Sequence, residues 1–89
     1  MRVSKKWQKL MIIDINDLDI NHEFGKRIQY LRRKKGWSQE QFAFECDINK
    51  NYLSDVERGR RNPTLKILEK IANGLGITLE ELFKGLGIR

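Results

Sequence analysis

The stretch that most limits how this chain can fold is Trp37 to Asn62, WSQEQFAFECDINKNYLSDVERGRRN. Two helix starts stand close together in it. Ser38 is a good N-cap, and Gln41 three residues on completes a capping-box signature, in which the two side chains each satisfy one free backbone N–H. Trp37 ahead of the cap and Phe42 at the fourth helical position match a hydrophobic staple. Phe42, Ala43 and Cys46 then share one face. The pattern breaks at Asp47-Ile48-Asn49, where aspartate tolerates a left-handed backbone and Asn49 is a natural cap for a second helix. Ile48 and Leu53 repeat the staple, and Leu53 and Val56 face inward with Ile48. Lys50, Asn51, Ser54 and Asp55 are left on the outer face, with Tyr52 on its shoulder. Gly59 is expected to end this helix in a left-handed conformation. Arg58, Arg60, Arg61 and Asn62 surround it.

A short helix braced by a preceding one, with small and medium polar side chains at its N-terminal end, has the dimensions to enter a DNA major groove. Amide and ammonium groups there pair with base acceptors and donors, and arginines just beyond the helix grip phosphate. The formal charge of +6 and a pI of about 9.7 also favour an anionic partner, most simply nucleic acid. With 89 residues the chain makes one small domain whose modest core a dimer interface would supplement. The single cysteine, Cys46, cannot staple the chain and shows no zinc-finger spacing; it is expected as a small buried core residue in a reducing, cytoplasmic setting. No apolar run approaches the roughly 20 residues that span a bilayer. The short apolar stretch Leu10 to Ile13 is followed at once by acidic residues, unlike a signal peptide. No nucleophile–base constellation, metal-ligand cluster or phosphate-cradling glycine loop is visible, so neither catalysis, nor a cofactor, nor a metal is expected.

Residues 1–10 carry four positive charges and the following MIIDINDLDINHE four negative ones. Residues 1–20 are expected as a tail with room for an extended stretch at Leu10 to Ile15. It is either a basic arm following DNA or a solvated leader, and the second reading is preferred. The domain proper is expected over residues 21–89. Its first helix should run from Asn21 or His22 to Lys35, with Phe24, Ile28 and Leu31 inward and Gly36 at its end. His22 suits a surface or capping role. The run Arg32 to Lys35 either approaches phosphate or forms a solvated basic face. Pro63 breaks the chain and Thr64 caps a fourth helix with the stripe Leu65, Leu68, Ile71, Ala72 and Leu75, ended by Gly74 to Gly76. Thr78 opens a fifth with Glu81 as capping-box partner and an Ile77–Leu82 staple. Leu79, Phe83, Leu86 and Ile88 exceed what one small core buries. The pattern is all-α, with five helices.

The elements SQEQFA, the turn, NYLSDVERGRRNPTL and LEKIANGLGIT-LEELF occur in order between Phe24 and Phe83. Together they resemble the Cro/repressor-type (Xre-like) helix-turn-helix regulators, and NKNYLSDVERGRRN is most similar to the controller proteins of restriction–modification systems. The resemblance implies a five-helix, lambda-repressor-like domain with its helix-turn-helix at about 38–59. It also implies a cytoplasmic, nucleoid-associated regulator of bacterial or phage type, binding a two-fold operator with half-sites about one helical turn apart as a homodimer, whose interface would take in Leu79, Phe83, Leu86 and Ile88. It places Lys50, Asn51, Ser54 and Asp55 at positions that face bases, Lys50 suiting guanine and Asn51 adenine. Asp55 either accepts from cytosine, penalises wrong docking, or is merely solvated. Gln39 matches a phosphate-contacting position at a helix N-terminus. Tyr52, Arg58, Arg60, Arg61 and Asn62 are the remaining phosphate candidates, each with a solvated surface as the alternative, and Tyr52 with packing on its own helix as a further one. Arg32 is implied to pair with Glu57. Asp47 departs from the family by standing where glycine is common. Phe44 stands where a polar residue is common, and either packs on the tail or a partner or is singly exposed. The competing function is an antitoxin-type interaction module that binds both DNA and a small protein partner.

Overall fold

The computed structural model describes residues 19–87. The extended stretch expected at Leu10 to Ile15, the rest of the tail up to residue 18, and Ile88 lie outside the described residues. Among those described there are five helices and no strand: α1 (Ile20–Lys34), α2 (Gln39–Cys46), α3 (Lys50–Glu57), α4 (Leu65–Leu75) and α5 (Leu79–Leu82).

Helix α1 starts earlier than expected. The Asp19 carboxylate accepts from the Asn21 N–H at 3.1 Å and acts as N-cap, so Asp19 and Ile20 belong to the helix and not to the tail. Its far end comes one residue sooner than expected: Lys35 is the C-cap and Gly36 follows at φ 75°. The other caps are Ser38, Asn49, Thr64 and Thr78, each accepting from the backbone N–H three residues on. Both expected capping boxes are only half made. Gln41 reaches forward to the Glu45 carboxylate at 2.7 Å instead of back to its cap. Glu81 is drawn to the Arg27 guanidinium at 3.3 Å. In each case a charge-assisted partner outcompetes a solvent-accessible backbone N–H.

The core gathers Phe24, Ile28, Phe42, Ala43, Cys46, Leu53, Val56, Ile71, Ala72, Leu75 and Leu82. Trp37 lies over Phe42 with ring centroids 6.2 Å apart, as a staple requires. Leu65 departs from the expected stripe: it is 75% exposed, because α4 meets the core only further along, and Ile67 packs there with Leu68. Gly74 is no terminator either. It lies inside α4, where an added Cβ would strike the Cys46 Sγ and leave no room for α2. Gly76, at φ 73°, ends the helix. Gly25 plays the same part at the other crossing, where α1 meets the carbonyls of Val56 and Glu57 at the end of α3. Arg27 donates to the carbonyls of Glu81 (2.7 Å) and Leu82 (3.3 Å), tying α1 to α5. Cys46 is buried, with its Sγ 3.8 Å from the Ile71 carbonyl oxygen. Burial, with the Glu45 carboxylate adding to it, pushes the thiol pKa up to about 12.

Candidate nucleic-acid interface

The site is built on α3 and on what holds it. The turn into α3 depends on Asp47, the one non-glycine residue at positive φ among those described (φ 56°, ψ 49°). Its left-handed backbone lets the Ile48 N–H close onto the Ala43 carbonyl at 3.0 Å. Lys70 donates to the Asp47 carbonyl at 3.2 Å and covers the turn from α4. Asn49 then caps α3 through the Tyr52 N–H at 3.0 Å. Leu53 and Val56 are buried, so the opposite face points outward.

The C-terminal end of α3 is held by a buried polar cluster. Glu57 is 2% exposed and is the only buried charged residue described. Arg32 donates to both of its carboxylate oxygens, from Nε at 2.8 Å and from Nη2 at 3.1 Å. Gln39 Nε2 adds a third bond at 2.8 Å. Arg32 Nη1 also holds the Trp37 carbonyl at 3.0 Å, and Gln29 Nε2 holds the Glu57 carbonyl at 3.1 Å. One carboxylate thereby fixes α1, the start of α2 and the end of α3 relative to one another. A fork-shaped guanidinium on a carboxylate, with every polar group satisfied, is the arrangement that makes such burial tolerable. Gln29 escaped the sequence reading, although it lies one turn before Arg32 and so on nearly the same face.

Lys50 and Asn51 are exposed at the N-terminal end of α3, and Ser54 and Asp55 are half-buried beside them. Arg58, Arg60, Arg61 and Asn62 are exposed around the loop after the helix. Gln39 turns its side-chain amide inward to Glu57, so what it presents outward is the first N–H of α2. Tyr52 is half-buried and lies under the Arg61 guanidinium, 5.4 Å from the ring centroid. Arg61 Nε donates to the Asp55 carboxylate at 3.4 Å, an interaction the sequence reading did not contain. Of the apolar residues assigned to an interface, Leu79 (38%) and Phe83 (37%) are partly exposed, while Leu86 is half-buried. Phe83 also touches Phe24 across a ring separation of 5.8 Å. Phe44 is 79% exposed. Among the described residues no acidic, cysteine or histidine side chains group as metal ligands, and no helix is long and apolar enough to cross a membrane.

A helix-turn-helix family model matches residues 28–82. Control protein C.MunI of a Mycoplasma species is 48% identical over 69 residues, which are 76% of this chain and 93% of the relative. The crystal structure of the restriction–modification controller protein C.AhdI from Aeromonas hydrophila is similar with a TM-score of 0.69 and 43% identity, over 71% of this chain and 96% of that one. The controller protein C.Esp1396I, solved as a tetramer in complex with its natural 35 base-pair operator, is similar with a TM-score of 0.69 and 32% identity, over 73% of this chain and 86% of that one. The arrangement of α2 and α3, the polar cluster beneath them and these likenesses agree: the chain belongs to the helix-turn-helix family, as a transcriptional regulator of the controller-protein type.

Proposed function

We propose that the protein is a sequence-specific, double-stranded DNA-binding regulator that acts in the cytoplasm as a homodimer on a two-fold operator. The carrying observation is the Glu57 cluster. It locks α3 against α1 and α2 while Lys50 and Asn51 stay exposed and Ser54 half-buried beside them. A recognition helix held in this way reads base edges without an ordering cost at the moment of binding. Lys50 donates to guanine O6 or N7, and Asn51 pairs with adenine N6 and N7. The first N–H of α2 and the side chains of Tyr52, Arg58, Arg60 and Asn62 meet the phosphates on either side. The operator complex of C.Esp1396I supports this reading by likeness, as does the net positive charge.

The test is fluorescence anisotropy of the purified protein against duplex DNA from upstream of its own coding sequence, beside a scrambled duplex, at several salt concentrations. Preference for the native fragment should survive moderate salt while both affinities fall, since each neutralised phosphate releases counterions. Equal binding to both duplexes at every salt concentration would refute the reading.

A further inference from the structure

The Tyr52–Asp55–Arg61 group sits at the edge of the proposed reading face. We infer that Asp55 is a positioning residue that aims Arg61 at one base pair of the operator, so that Arg61 is a sequence-reading side chain and not a phosphate grip. The inference rests on the DNA-binding reading above.

Four contacts carry it. Arg61 Nε is taken by the Asp55 carboxylate at 3.4 Å. The Arg61 guanidinium lies 5.4 Å over the Tyr52 ring. The loop that brings Arg61 back is anchored on the same residue, because the Asp55 carbonyl accepts from the N–H groups of Arg60 (2.9 Å) and Arg58 (3.2 Å). Asp55 therefore sets both where the loop runs and how the guanidinium is turned. Tyr52 and Asp55 are three residues apart on α3 and so adjoin on one flank of the helix. With Nε engaged, the terminal Nη1 and Nη2 remain for an outside acceptor, and Arg61 is half-exposed. Two terminal donors in a fixed plane suit guanine O6 and N7, the commonest bidentate contact in the major groove. The nearby carboxylate offsets the charge that would make Arg61 a strong, direction-blind phosphate binder, which leaves direction as its main contribution. An exposed ion pair of this kind adds little stability, so its value lies in where it puts the guanidinium.

The experiment enriches duplexes from a random-sequence pool with the full chain and with Asp55→Ala, Asp55→Asn and Arg61→Ala, each first shown by circular dichroism to melt as the wild type does. Arg61→Ala should lose base preference at one pair per half-site, by about tenfold. Asp55→Ala should lose preference at that same pair, and Asp55→Asn, whose side-chain oxygen still accepts from Nε, should largely retain it. Loss at a different pair in Asp55→Ala would show that Asp55 reads a base on its own and would overturn the inference. So would an unchanged profile in Arg61→Ala, which would return Arg61 to the phosphates. Failure of the wild-type protein to enrich any sequence would instead sink the DNA-reading proposal, and the inference with it.

Discussion

Among the described residues Glu57 and Cys46 are ionisable side chains fully buried in this small core, which accommodates them by opposite means. Taking a carboxylate out of water costs several kcal/mol, which Arg32 and Gln39 offset with three hydrogen bonds. Glu57→Ala leaves the Arg32 guanidinium largely buried and unpaired, and a loss of about 3–5 kcal/mol in unfolding free energy is expected from urea titration. Replacing both partners with methionine should recover much of that loss; a double variant as unstable as the single one would show that the pair itself is the stabiliser. Cys46 is held neutral instead. Its pKa rises from 9.0 to about 12 on folding, so the native state holds the proton more tightly than the unfolded chain does. The stability this contributes is complete below pH 9.0 and is lost as the pH climbs towards about 12. Urea midpoints of the wild type should therefore fall more steeply across that window than those of Cys46→Ala, which shares every other titrating group. Parallel pH profiles would show that the thiol titrates alike in both states.

The helices of this domain are short, so their ends decide much of their stability. Asn49 caps the recognition helix with one side-chain bond, and Asn49→Ala should cost about 1 kcal/mol in thermal or urea unfolding. A loss below a few tenths would mean that packing of Leu53 and Val56 alone sets the start of α3. Gly74→Ala should cost more than its helix propensity predicts. Alanine is the better helix former, yet its methyl group meets the Cys46 Sγ where α2 crosses α4, and overpacking of this kind costs about 1–3 kcal/mol. These two residues also show what the sequence made legible. The Ser38, Asn49, Thr64 and Thr78 caps, the two-helix turn and most of the inward faces were readable, because each depends on residues within about one turn of one another. The unread contacts are those between distant positions. Gly74 looked like a terminator because the sulfur that requires it sits on another helix. Glu81 looked like a capping-box partner because Arg27, its actual one, lies 54 residues away. Leu65 fits the apolar period, but periodicity does not say where along a helix the core begins. At the site, the outward set on α3 was legible from spacing alone. The turning of Gln39 inward and the folding of Arg61 onto Asp55 were not, since each is decided by a neighbour the local pattern does not contain.

At the scale of the molecule, the described domain has two kinds of incomplete surface. One is the polar and basic face around α3. The other is apolar: Ile20, Phe24, Leu68, Phe83 and Leu86 line an open hollow of about 360 Å³ where the start of α1 meets the C-terminal segment, and Leu79 lies one turn before Phe83. A chain this small gains from covering such a face, and a second copy of itself is the cover that the proposed two-fold operator demands. Leu79 is the position at which to test this. It stands first in α5, where a carboxylate suits the helix N-terminus, and it is exposed enough that Leu79→Glu should leave the monomer folded. In the proposed dimer it would bury a charge without a partner. Sedimentation velocity should then report a monomer at concentrations where the wild type is dimeric. Affinity for a single half-site should be unchanged, because the reading face is untouched. Affinity for the full operator should fall by about a hundredfold, since the two recognition helices no longer share one another's effective concentration. A Leu79→Glu protein that sediments as a dimer and binds the full operator as the wild type does would move the interface away from α5.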